Sequence, residues 1–335
     1  MVISEPFKGF DKRIAKQIAA ILFTNSREHI SSISKTLGVS IYTINKYIEF
    51  FNTQMKFVYT VDIDPSKLGL STNRLLFIKF EADPDFAYIK KILKRSMIVQ
   101  NAYTCIGSFD LVINAVGESP NTFNKWQYNL RKQLHDLKPH VKTVSVDHII
   151  EGGFPLRGSI ISKSNLIGTE EKKILTILAE NANTKLTELE QLTNIKKQVI
   201  LLKINQMIKK KIINAFRAYI QEPDGYLKLI YAFELIPAKE HPKNMSKIFI
   251  NTLCARSDPL KIATEYAVVC DTSGYYDGVD ICNFYNNDSI NRIGPIFFKS
   301  YWKIDEPRVE QAVLTGVLVG RWPFNTNSYN AWKSE

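Results

Sequence analysis

Two stretches of the 335-residue chain share one rhythm of apolar positions. In the first, an amphipathic segment from Asp11 to about Phe23 is followed by Ile30, Ile33, Leu37, Ile41, Ile44, Ile48 and Phe51, at helical spacing across a break at Gly38. The spacing predicts a helix, a short helix over 30–37, a turn and a third helix over about 40–52. Gly38 supplies a backbone free to take positive φ in that turn, and the Ser40 hydroxyl can accept from an orphan amide at the start of the third helix. The second stretch repeats the order, with helices over about 171–180, 186–193 and 196–209.

After each third helix the apolar period shortens to that of strands. Lys56–Asp62 reads as a strand, the expected wing. Strands over 74–82, 98–106, 110–117 and 141–152 then alternate with helices over about 85–95 and 121–137. This βαββαβ order predicts a four-stranded antiparallel sheet with both helices on one face, a ferredoxin-like sandwich. The second half gives strands near 226–236, 260–271, 276–285 and 308–319, with helices near 244–254 and 288–302. Gly107-Ser-Phe-Asp110 in the first half matches Gly274-Tyr-Tyr-Asp277 in the second, and the final strands end in Gly153-Phe-Pro155 and Gly320-Arg-Trp-Pro323. Four features recurring in one order at offsets of roughly 155–170 residues predict a duplication. The fold class is therefore α+β, as two repeats of a winged helix-turn-helix and a ferredoxin-like (RAM-type) sandwich. The expected units are 1–62 and 63–155, a linker over 156–168, then 169–221 and 222–323, and a tail over 324–335.

Chemistry refines this picture. The outward positions of the first third helix are Ser40, Tyr42, Thr43, Asn45 and Lys46, hydrogen-bonding groups with one cation, suited to base edges in a major groove. Lys56 stands at the wing. Residues 1–60 carry eight Lys/Arg (Lys8, Lys12, Arg13, Lys16, Arg27, Lys35, Lys46, Lys56) against four acids (Glu5, Asp11, Glu28, Glu49), and the whole chain has a net charge of +11. Both favour a polyanionic partner, double-stranded DNA above all. The second third helix is apolar on more than one face (Val199, Ile200, Leu201, Leu202, Ile204). Its Lys196, Lys197, Gln198 and Lys203 suit phosphate contact or assembly.

The ordered set of helix-turn-helix, wing, Asp64-Pro-Ser-Lys-Leu-Gly-Leu70, βαββαβ module and G-x-[FY]-D turn resembles the Lrp/AsnC (feast/famine) family. The resemblance spans residues 8–153, and more loosely 168–323, where the connection shrinks to Glu222-Pro-Asp-Gly-Tyr-Leu227. It implies promoter binding by the helix-turn-helix, and assembly through the sandwiches. It also implies an amino-acid-like effector near Gly107, Asp110, Gly274 and Asp277, where Asp110 equally suits a turn cap. A tandem departs from the single-copy family pattern, so the two sandwiches are expected to pair as an internal pseudo-dimer, or the chain to form a homodimer.

Other chemistry is not expected. There is no phosphate-binding loop, nucleophile elbow or zinc-protease motif, so the chain reads as no enzyme and as needing no cofactor. Some relatives of the family are tetrapyrrole decarboxylases; the candidate groups here, Lys79, Lys90, Arg95 and His148, form no evident cluster. A second alternative is a regulator that contacts proteins rather than reading DNA, motivated by the apolar third helix of the second copy and the aromatic tail Trp322–Trp332. His135 and His140 lack further metal ligands. Cys105, Cys254, Cys270 and Cys282 lie without a C-x-x-C pair and read as reduced, mostly buried thiols. Apolar runs such as Ala312–Val319 are too short to span a bilayer, and the N-terminus lacks a signal-peptide core, so a cytoplasmic location without a membrane partner is expected.

Overall fold

The structure is a computed structural model and describes residues 10–220, 227–234, 266–284 and 308–322. It is a mixed α+β fold with antiparallel sheets, as the sequence predicts. The helices expected near 244–254 and 288–302, the Glu222–Leu227 connection up to residue 226, and the tail beyond Trp322 lie outside the described residues, as does Cys254.

The first helical unit comprises α1 (Lys12–Thr24), α2 (Ile30–Leu37) and α3 (Ile41–Thr53). The Asp11 carboxylate caps α1 by accepting from the amides of Arg13 and Ile14 at 2.8 and 3.3 Å. Gly38 ends α2 at φ 66°, and the Ser40 hydroxyl accepts from the Thr43 amide at 3.1 Å to start α3. β1 (Phe57–Ile63) follows. In the second half α6 (Gly158–Ile161), α7 (Thr169–Glu180), α8 (Leu186–Thr193) and α9 (Lys197–Lys209) lead to β6 (Ile213–Ile220), with Asn194 after α8 in the left-handed conformation that Gly38 takes after α2. The expected linker thus includes the helix α6, whose Ile160 and Ile161 are buried.

Among the described residues neither β1 nor β6 closes a wing hairpin of its own. A single strand leaves its backbone donors and acceptors unpaired, and here each strand satisfies the other. β1 and β6 run antiparallel, from Phe57 opposite Ile220 to Ile63 opposite Ile213. The two helical units consequently share one core, in which Ile18, Ile33, Ile44 and Phe51 pack in the same buried cluster as Ile174, Leu178, Ile200 and Met207.

The remaining strands close into a barrel. The first half supplies β2 (Thr72–Phe80), β3 (Val99–Gly107), β4 (Leu111–Gly117) and β5 (Pro139–Gly152), with α4 (Phe86–Arg95) and α5 (Pro120–Gln133); the second supplies β7 (Leu227–Glu234), β8 (Tyr266–Gly274), β9 (Gly278–Phe284) and β10 (Arg308–Val319). Around the barrel the order is β10-β3-β4-β2-β5-β8-β9-β7, and β7 pairs back to β10. The order within each half is the same, and the halves join at two seams, β5 with β8 and β10 with β3. Closure leaves none of these strands with an open edge.

The strand period of two divides the side chains of β2. Leu75 and Phe77 point into the barrel, among Tyr103, Val112, Ile230 and Tyr276. Leu76 and Ile78 point outward to Ile89 and Leu93 of α4 and to Phe123 and Leu130 of α5. Phe154 and Trp322, at the matching ends of the two final strands, both enter the barrel core. Among the described residues no helix is long and apolar enough to cross a membrane.

Candidate functional site

The residues singled out in the sequence fall on three surfaces. On α3, the apolar positions Ile44, Tyr47, Phe50 and Phe51 face the core, which turns Tyr42, Asn45 and Lys46 outward with Ser40 at the N-terminus; Thr43 is half-buried. Tyr42 is 79% exposed. The Ser40 and Thr43 hydroxyls lie 2.8 Å apart, and the Lys46 ammonium sits 5.3 Å from the centre of the Phe10 ring. Tyr47 fixes the helix from behind, since its hydroxyl accepts from the Asp11 amide at 2.8 Å. Lys56 is exposed in a left-handed conformation, φ 52°, between α3 and β1. The helix thus presents, from a buried footing, an outer face that is polar apart from the exposed Ile41 in its first turn.

On α9 the equivalent face differs. Lys203 pairs with Glu171 at 2.8 Å and Glu170 at 3.6 Å, and the Glu171 pair holds its ammonium above the usual lysine range. Lys197 lies 3.6 Å from Glu190. Lys196 and Gln198 are exposed, and so are Leu201 and Leu202.

The two G-x-[FY]-D turns lie at the barrel seams. Gly107 takes φ +135°, and a Cβ there would stand 2.7 Å from the Gln311 carbonyl of β10; Gly274, at φ +118°, would put a Cβ 3.0 Å from the Thr143 carbonyl of β5. Each turn is therefore pressed against the last strand of the other half, an approach that only glycine permits. The Asp110 carboxylate accepts from the Phe80 amide at 2.8 Å and from the Lys79 ammonium at 2.7 Å, so it ties its own turn to β2. Asp277 is exposed, and its carbonyl accepts from the Thr272 amide at 2.9 Å. Phe109 and Tyr276, the aromatic residues of the two turns, meet across Phe77, whose ring centre is 4.8 Å from Phe109 and 5.2 Å from Tyr276.

Sequence reasoning missed a charged cluster at this place. Lys142 of β5 reaches Glu310 of β10 at 2.5 Å and lies 4.5 Å from the Tyr275 ring centre, and the Tyr276 hydroxyl donates to the other Glu310 oxygen. Burial, with the Glu310 carboxylate adding to it, pushes the Tyr276 phenol far above its ordinary range. Lys142 stands opposite Phe77 of β2 in the same way that Glu310 stands opposite Ala232 of β7. The only available signal was that equivalence of register, which needs the barrel order to be seen.

Of the candidates for tetrapyrrole chemistry, no described hydrogen bond or ion pair joins Lys79, Lys90 and Arg95 to one another. Lys79 is occupied by Asp110 and the Gly107 carbonyl, Lys90 and Arg95 lie on α4, and His148 lies on β5. His140 pairs with Glu81 at 2.8 Å, and His135 is exposed beside Asp136. Cys105 and Cys270 are buried, as expected.

No protein-family model and no curated protein matches the chain. Solved structures do. The siroheme decarboxylase NirDL shares 12% identity over 96% of this chain and 97% of its own, with a TM-score of 0.57. The same protein in complex with an iron-uroporphyrin III analogue matches equally, over 98% of its length. AsnC of E. coli covers 42% of this chain and 93% of its own, at 19% identity and a TM-score of 0.36. The expectation that the chain is no enzyme does not stand against these findings, because the fold that runs through almost the whole chain is one that a solved enzyme adopts. At 12% identity this likeness is one of fold.

Proposed function

We propose that the chain is a DNA-binding regulator in which α3 reads duplex DNA. The observation that carries this reading is the outer face of α3, where Tyr42, Asn45 and Lys46 stand exposed beside Ser40 while the opposite face is locked in the core. A helix so held can enter a major groove without rearrangement, and its side chains match the donors and acceptors of base edges. The net charge of +11 supports approach to phosphate.

In this reading the chain is a tandem of two winged helix-turn-helix and ferredoxin-like units, divided near 62, 155, 168, 221 and 323. The units act as an internal pseudo-dimer, for which the shared helical core and the closed barrel are the support. An amino-acid-like effector would bind at the seams near Gly107, Asp110, Gly274 and Asp277. Fluorescence anisotropy with a labelled duplex tests the reading. Affinity should fall by several log units per log unit of salt, and Asn45→Ala with Lys46→Ala should weaken it by about 1–3 kcal/mol per lost base contact. Unchanged affinity in the double variant would remove α3 from the interface.

A second reading is favoured by the whole-chain similarity in fold to NirDL: an enzyme acting on a carboxylated tetrapyrrole. Here Lys79, Lys90, Arg95 and His148 are the cationic candidates to meet the substrate carboxylates. Mixing purified protein with siroheme and following the product mass separates the two readings; loss of carbon dioxide from the added siroheme supports the enzyme, and unchanged siroheme removes it.

A further inference from the structure

The two third helices can be compared position by position from their N-caps, Ser40 for α3 and Lys196 for α9. Two residues on, Tyr42 corresponds to Gln198. Five and six residues on, Asn45 and Lys46 correspond to Leu201 and Leu202. The inner faces remain alike, with Ile44 and Ile200 fully buried in the shared core. The copies therefore keep one footing and differ in what they show to the outside.

What α9 shows at these two positions is apolar. Leu201 is 48% exposed and Leu202 is 55% exposed, and about two turns further Ile208 is also exposed. Leu192, at the end of α8, which packs on α9, is exposed as well. Single exposed leucines are ordinary, but several on one pair of helices mark a contact surface. Leucine can neither donate to nor accept from a base edge, so this face has lost what α3 offers to DNA. The rim is basic: Lys196, Lys197, Lys209, Lys210 and Lys211 are exposed around it, and of the nearby acids Glu190 is engaged by Lys197.

We infer that the outer face of α9 is a protein-docking surface for an acidic amphipathic helix. Leucines in the middle take the partner's apolar stripe, and the lysine rim takes its carboxylates, the arrangement of a helix laid along an apolar patch with complementary charge at its border. A second copy of this chain is disfavoured, because two such faces would bring lysine rims together. The inference does not depend on whether α3 reads DNA. The tandem would then present one helix to nucleic acid and the other to a protein, at a spacing fixed by the common core.

A labelled synthetic peptide tests it on the full chain. The peptide carries leucine at i, i+3, i+4 and i+7 with glutamate at the remaining positions, and its control has lysine in place of every glutamate. The acidic peptide should bind and the basic control should not. Leu201→Gln with Leu202→Gln should weaken binding by about tenfold or more, from the loss of two apolar contacts. Both side chains are exposed, so the variant should keep its thermal unfolding midpoint, which is measured alongside. Three results would overturn the inference: equal binding of both peptides or neither, equal binding by the variant, or a loss of duplex DNA affinity in the variant. Light scattering adds a fourth, self-association of the wild-type chain that the same substitutions abolish, which would make a second copy the occupant.

Discussion

Arg27 of the first half donates through Nε to the Ala182 carbonyl of the second at 2.7 Å, and through Nη2 to the Thr184 carbonyl at 2.6 Å. Its guanidinium also lies 4.9 Å from the centre of the Phe216 ring. One side chain thus clamps the loop after α7 and the strand β6 to the loop after α1. Arg27→Ala should lower stability by about 2–4 kcal/mol, since charged donors are lost and two carbonyls are left without them. Urea unfolding followed by circular dichroism measures this, and Arg27→Lys should recover only part of the loss because it cannot span both carbonyls.

Gly107→Ala should be destabilising by about 2 kcal/mol or more, because the new Cβ meets the Gln311 carbonyl at 2.7 Å in a backbone conformation strained for alanine. The loss falls on the β10–β3 seam, so amide exchange should rise there and leave the β1–β6 pair unaffected.

Alkaline pH should unfold the chain between the ordinary tyrosine range and about pH 12. Burial pushes the Tyr59 phenol up to about 12, against a smaller opposing effect of its bond to Asn52, and burial pushes Tyr219 to about 12. A phenol whose folded value is raised contributes stability that is complete below its unfolded value near 10 and is lost as pH rises through the folded value. Phenolate absorbance should therefore appear together with loss of helical signal, and Tyr59→Phe should shift the transition to higher pH.

Cys105 and Cys270 should react slowly with thiol reagents in the folded protein. Both are buried, and burial, with Asp110 adding to it, pushes the Cys105 thiol well above its ordinary range. Labelling at neutral pH should reach these two only after denaturant is added; rapid labelling of the native chain would place them at a surface.

Much of this architecture was legible along the chain. Ser40, Gly38 and the apolar spacing from Ile30 to Phe51 locate α2 and α3 to within a residue, because caps and helical periodicity are local signals. The strands β2 to β5 were readable for the same reason. What lay hidden was non-local. Lys56–Asp62 promised a wing, but the partner of β1 is a strand more than 150 residues away, and nothing in either strand names the other. The contact of Lys142 with Glu310 is likewise set by the barrel order, with 168 residues between them. The apolar outer face of α9 was visible in the sequence, but that it is exposed follows only from the packing of Ile200, Ile204 and Met207. Enzymatic motifs are local patterns, and a fold shared with an enzyme at 12% identity leaves no such trace.

The most direct test is base preference. The full chain and its Asn45→Ala/Lys46→Ala variant are each used to select duplexes from a random pool, and the enriched sequences are compared. A defined motif is expected for the wild type, and loss of preference at one or two positions of that motif for the variant. The same motif from both, or no enrichment by the wild type, would contradict the assignment of α3 as the reading helix.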